Sequence, residues 1–226
     1  QICIGGSVLL TANVSGGAGA ITYQWQFNNS GTWKNVGANQ NTYTTPVLNT
    51  VGNYQYRVLV SQNSGCEAAS VPFVVNVAAD PTVTASAAQS TICDGGAAQL
   101  TANVTGGAGT ASFQWQQFIS GSWQNIGGAN TNPYTTAALT PGSYQYRVVV
   151  TQNAGCETSS DGVTITVVND PTVEVTGTDG GQICIGGSVL MTANVTGGAG
   201  TTSYQWQQLI GATWPTVGTN QPTHST

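Results

Sequence analysis

The chain has 226 residues and a formal net charge of −5, and only 5% of its side chains are charged, against roughly a quarter in an ordinary globular protein. Its three basic residues, Lys34, Arg57 and Arg147, form no cluster able to neutralise a phosphate backbone, so nucleic-acid partners are excluded. No apolar run approaches the ~20 residues of a spanning helix and no signal segment is visible, so no membrane insertion is expected in this segment. An apolar content of 39% is enough for cores, which leaves the surface to Ser, Thr, Asn, Gln and Gly.

One sentence is written three times along the chain: ICIGGSVLLTANVSGG from Ile2, ICDGGAAQLTANVTGG from Ile92 and ICIGGSVLMTANVTGG from Ile183. Steps of 90 and 91 residues match a small β-sandwich rather than a solenoid repeat. The organisation expected is a first repeat over 1–79 lacking its initial strand, a complete repeat over 80–169, and a third over 170–226 lacking its last strands. No stretch shows a sustained helical period. In the second repeat the strands expected in order are an initial one at Val83 and Ala85 and one carrying Leu100, Ala102 and Val104 on a single face. Next come a strand with Phe113 and Trp115, one around Trp123 to Ile126, and one around Tyr134 to Leu139. A long strand from Tyr144 to Val150 and a closing strand from Val163 to Val167 make seven. The Asp-Pro junctions at Asp80 and Asp170 are turn signals too short to act as flexible tethers.

Five cysteines follow the same repeat. Cys3 and Cys66 stand 63 residues apart, as do Cys93 and Cys156, and Cys184 is left without a mate. This spacing predicts one disulfide within each repeat, Cys3 to Cys66 and Cys93 to Cys156, with the partner of Cys184 outside the chain, and it implies an oxidising, extracellular setting. Reduced, buried cysteines are the alternative. Zinc lacks partners, since there is no CxxC and His224 is the sole histidine.

A tryptophan in the third strand, the turn from Leu139 to Tyr146 with its counterpart from Leu48 to Tyr56, and the seven-strand count resemble an immunoglobulin-type sandwich. The fold class so implied is all-β, as tandem immunoglobulin-like seven-strand β-sandwich domains. The resemblance makes Tyr54 and Tyr144 the tyrosine-corner residues, and it departs from the family where Tyr56 and Tyr146 stand in place of the second core cysteine. With the segments GTWKNVGANQNTYTT and GSWQNIGGANTNPYTT, the chain is also similar to Ig-like and PKD-like repeats of very large surface proteins of Bacteroidota. That likeness implies an exported surface protein, of the kind delivered by the type IX secretion system, and names no ligand.

Little is available for catalysis, and no catalytic residue and no cofactor are expected. His224 takes the position of Tyr43 and Tyr134 and has no Ser/Asp constellation around it. Glu67 and Glu157 recur a full repeat apart and give no close carboxylate pair. Asp80 or Asp170, with Asp161 or Asp179 loosely nearby, falls short of the six to eight oxygens calcium takes, so no metal site is expected. The GGAG segments at Gly16, Gly106 and Gly197 lack the Lys-Ser/Thr of a phosphate loop and read as strand connections. Asn13, Asn103, Asn194 and Asn28 begin glycosylation sequons, which read as outward strand positions in a bacterial protein.

The tryptophans are the most ligand-like feature. Trp25, Trp115 and Trp206 alternate with Gln on the third strand and are read as core. Trp33, Trp123 and Trp214 are a possible platform for stacking on surface glycans, or else rings folded over the sandwich edge. The outer repeats, missing strands, are expected either to be a window on a longer array or to be completed by strands from neighbouring chains. The function expected is a non-catalytic structural repeat region of an extracellular surface fibre or adhesin stalk that self-associates into a filament or long array. The alternative is a set of carbohydrate-binding or spacer modules in a larger secreted enzyme.

Overall fold

The structure, a computed structural model, describes residues 1–226 except for the side chain of Asp179, so the weighing of Asp179 as a remote calcium ligand lies outside the described residues. The first repeat forms β1 (Ile2–Cys3), β2 (Leu9–Thr11), β3 (Ile21–Asn29), β4 (Thr32–Val36), β5 (Thr42–Thr44), β6 (Gly52–Gln62), β7 (Glu67–Ala69) and β8 (Phe73–Ala78). The second forms β9 (Thr82–Ala87), β10 (Thr91–Cys93), β11 (Gln99–Thr105), β12 (Ala111–Ile119), β13 (Ser122–Asn125), β14 (Tyr134–Thr135), β15 (Gly142–Gln152), β16 (Glu157–Ser159) and β17 (Val163–Val168). The third forms β18 (Thr172–Gly177), β19 (Leu190–Thr196), β20 (Trp206–Gln207), β21 (Thr216–Val217) and β22 (Thr223–Ser225). The chain is all-β, built of immunoglobulin-like sandwiches.

In the second repeat one sheet runs β10-β17-β15-β12-β13 with β16 on β15, and the facing sheet runs β14-β11-β9. Period-2 alternation produces the core between them: along β15, Tyr146, Val148 and Val150 point inward and are buried, while Arg147, Val149 and Thr151 are half-buried on the other face. Leu100, Trp115 and Ile165 close this core with almost no exposed surface. Two strands are absent from the sequence-based count. β10 pairs in parallel with the last strand, Cys93 facing Val168, and β16 folds back on the end of β15. The strand expected from Tyr134 to Leu139 is only two residues long, because Thr136 turns its hydroxyl to accept the Ala98 amide and Leu139 is buried from the following loop.

The first repeat has the same six-stranded sheet, β1-β8-β6-β3-β4 with β7 on β6, and faces it with the pair β2-β5. The third pairs β18-β19-β22 and, separately, β20-β21. Its Val173, Val175 and Trp214 are exposed, lining a groove of about 580 Å³ together with Met191 and Trp206. All three repeats keep the same register at their fifth strand, where Thr45, Thr136 and Thr226 accept the amides of Val8, Ala98 and Val189.

The polarity of the strands decides where the cysteines go. Because β1 runs parallel to β8, with Cys3 opposite Ala78, Cys3 lies at the pole from which the chain leaves for the second repeat. Strand β6 is antiparallel to β8, starts at that pole with Gly52 opposite Val77, and runs away from it for 11 residues before reaching the Cys66 hairpin. At ~3.4 Å per residue, roughly 35 Å therefore separate the two poles. A disulfide needs Cα atoms within about 7 Å. The pairing expected within repeats, Cys3 to Cys66 and Cys93 to Cys156, is thus corrected: the two cysteines of one repeat occupy opposite ends of the sandwich.

Candidate functional site

The bond present joins Cys3 of the first repeat to Cys156 of the second, with Cα atoms 5.2 Å apart and 153 residues between them in sequence. Cys156 sits in the turn between β15 and β16, which β15 carries to the pole facing the first repeat. Both sulfurs are buried with Ala108, and Ala78 and Ala154 pack around them. The Ala108 carbonyl lies 3.8 Å from the Cys156 sulfur.

The GGAG loop that shapes this contact is held from behind. The Gln152 side-chain carbonyl accepts the Ala108 amide at 2.7 Å, and Asn153 accepts the amide of Thr110. Gly107 has φ of +70°, and a Cβ there would overlap the Gln152 amide group, so both the conformation and the space require glycine. Gln62 and Asn63 hold the amides of Ala18 and Ala20 in the first repeat in the same way. Sequence reading assigned no role to these Gln-Asn pairs, although they recur at one position of the repeat and could have been noticed there.

At the second junction the elements repeat. Cys93 is at the end of β10 opposite Val168, as Cys3 is opposite Ala78, and its sulfur accepts the amide of Ala199 at 3.2 Å. Ala199 holds the GGAG position that Ala108 holds in the second repeat. Cys93 is half-buried and unbonded, while Cys66 and Cys184 are exposed thiols. The turn after the first cysteine is common to all three repeats, with Gly6, Gly96 and Gly187 donating to the carbonyls of Cys3, Cys93 and Cys184.

Metal chemistry does not fit the first junction. A carboxylate oxygen of Asp80 lies within 4.8 Å of the Cys3 and Cys156 sulfurs, but those sulfurs are bonded to each other, leaving one exposed carboxylate as a donor.

The tryptophans divide by position. Trp25, Trp115 and Trp206 are buried, and their indole N–H groups donate to the carbonyls of Gln40, Thr131 and Gln221. Tyr43 and Tyr134 stack on the first two, and His224 takes that place against Trp206. Trp33 and Trp123 lie on the outer sheet face, where the guanidinium carbons of Arg57 and Arg147 sit 4.3 and 4.8 Å from the ring centres. Each arginine donates through Nε to the carbonyl of Gln26 or Gln116, which in turn donates to Asn35 or Asn125. Trp214 is 59% exposed on the third-repeat groove. Ile126, which cannot share a strand face with Trp123, leaves β13 and packs on the core from the next turn.

The Tyr54 and Tyr144 hydroxyls donate to the carbonyls of Thr50 and Thr140, four residues upstream. Tyr56 and Tyr146, at the vacated cysteine position, are buried, and their phenol pKa values are pushed up to about 12, first by burial and then by the neighbouring tyrosines.

Residues 82–169 match a family model described as "Domain of unknown function (DUF8696)". No curated protein sequence matches the chain. Among solved structures, the chain is similar to the fibronectin(III)-like modules of Clostridium thermocellum CbhA, at 20% identity over 74% of this chain and 88% of that one, with a TM-score of 0.40. It is also similar to the amphioxus IgVJ-C2 molecule, at 16% identity over 72% of this chain and 97% of that one, with a TM-score of 0.33. The FN1–FN3 domains of chicken CNTN1 match at 16% identity over 66% of this chain and 57% of that one, with a TM-score of 0.36. These likenesses concern fold alone.

Proposed function

We propose that the chain is a non-catalytic structural repeat region of an extracellular surface fibre or adhesin stalk, exported in a route of the type IX kind. The observation that carries this reading is the Cys3–Cys156 bond across the boundary between repeats. A disulfide within a domain shields only the stretch it encloses there, whereas one between successive domains carries tension past both of them and spares their folded cores. Three-residue junctions, Ala79 to Pro81 and Asn169 to Pro171, leave little slack beside it. The bond also requires an oxidising compartment, in line with a surface location. Neutral polar edges rich in Thr, Asn and Gln, with Lys34 as the sole lysine, support lateral association into filaments.

Antibody labelling of intact source cells tests the reading. Surface signal along elongated appendages, lost on external protease treatment, is expected. Signal seen only after permeabilisation overturns it.

A further inference from the structure

We propose that Cys93 is the first half of a second inter-repeat disulfide, whose other half is the second cysteine of a further copy of the repeat hairpin, the position held by Cys66 and Cys156. The bonds then form a staggered ladder, from the first cysteine of each repeat to the second cysteine of the next. Three observations converge on this. At the first junction these two repeat positions are bonded, Cys3 to Cys156. At the second junction Cys93 has the same register on the last strand, opposite Val168. Its sulfur already touches Ala199, the counterpart of the Ala108 that packs on the completed bond. By the same rule Cys66, exposed at the opposite pole of the first repeat, accepts the first cysteine of another copy, and Cys184 continues the series.

The ladder changes what can stretch. Because each bond spans more than one repeat, neighbouring bonds overlap in sequence, and the stretch from Cys156 to Cys184 is the only backbone between the first bond and the start of the third. Each bond forms when two thiols give two protons and two electrons to a disulfide oxidant, whose own S–S bond breaks to release two reduced thiols. Oxidised glutathione supplies this in the assay.

The inference rests on the reading of the chain as a covalently linked array, and one experiment separates the two. The full chain is extended after Thr226 with a copy of Ala137–Asn169, since Thr226 holds the register of Thr136. It is oxidised with glutathione disulfide and mapped by non-reducing peptide digestion. Recovery of Cys93 joined to the appended copy of Cys156 is expected, beside Cys3 joined to Cys156. An appended cysteine joined to Cys184, or Cys93 left alkylatable while Cys3–Cys156 is recovered, overturns the ladder and leaves the linked array standing. Absence of Cys3–Cys156 as well overturns both. A second measurement needs no extension: in the 226-residue chain, alkylation of Cys93 is expected to be severalfold slower than that of Cys66 or Cys184, and equal rates overturn the docked geometry at the second junction.

Discussion

Pulling the chain by its two ends distinguishes a bond between repeats from bonds within them by length alone. The Cys3–Cys156 bond encloses 153 residues, which at ~3.6 Å per extended residue hides about 550 Å of contour from the applied force. Before reduction only the two residues ahead of Cys3 and the stretch after Cys156 can extend, about 260 Å in all. Single-molecule force spectroscopy with and without a phosphine reductant reads this directly. One gain of about 550 Å per molecule is expected on reduction, with the unfolding events of the first two repeats appearing only afterwards. Bonds within the repeats would instead enclose 63 residues each, and two gains of about 230 Å would refute the reasoning.

Removing the staple with a Cys3→Ser, Cys156→Ser double variant should destabilise either joined repeat by ~4 to 5 kcal/mol, because with one repeat folded the bond closes a loop of about 80 residues in the other. Urea unfolding followed by tryptophan fluorescence checks this, and an unchanged midpoint would contradict it. Stability should also fall at high pH: the Tyr56 and Tyr146 phenols are harder to ionise when folded, so their contribution is fully present below the ordinary tyrosine pKa near 10 and is lost as the pH rises through about 12. A denaturation midpoint flat from pH 9.5 to 12 would show these rings to be solvated. Association through neutral polar edges should be insensitive to salt, so light scattering at low and high ionic strength is expected to show the same assemblies, and a strictly monomeric species at high concentration would count against filament formation.

Much of the architecture was legible in the residue pattern. The repeated ICxGG segments, the period-2 alternation of β11 and β15, and the Leu139 to Tyr146 turn are local signals, and each acts within a few residues of where it is read. Burial of Trp115 follows from the same alternation. The two extra strands did not announce themselves because β10 and β16 are three residues each, too short for any period to show, and owe their pairing to neighbours already in place. The Arg57–Trp33 and Arg147–Trp123 contacts were likewise hidden, since they cross strands that only the sheet order β6-β3-β4 or β15-β12-β13 brings together.

The cysteines mark the boundary between the two kinds of information most sharply. Equal spacing determined that Cys3 and Cys93, and Cys66 and Cys156, are equivalent positions, and this equivalence is preserved in the structure. Spacing carries no direction, however, and a bond depends on which pole of the sandwich each strand reaches. Parallel pairing of β1 with β8 sends Cys3 forward to the junction, while the 11 residues of β6 carry Cys66 to the opposite end. Cysteines that belong together as a repeat are thus a strand length apart in space. The partner within reach belongs to the next repeat, because successive sandwiches meet pole to pole.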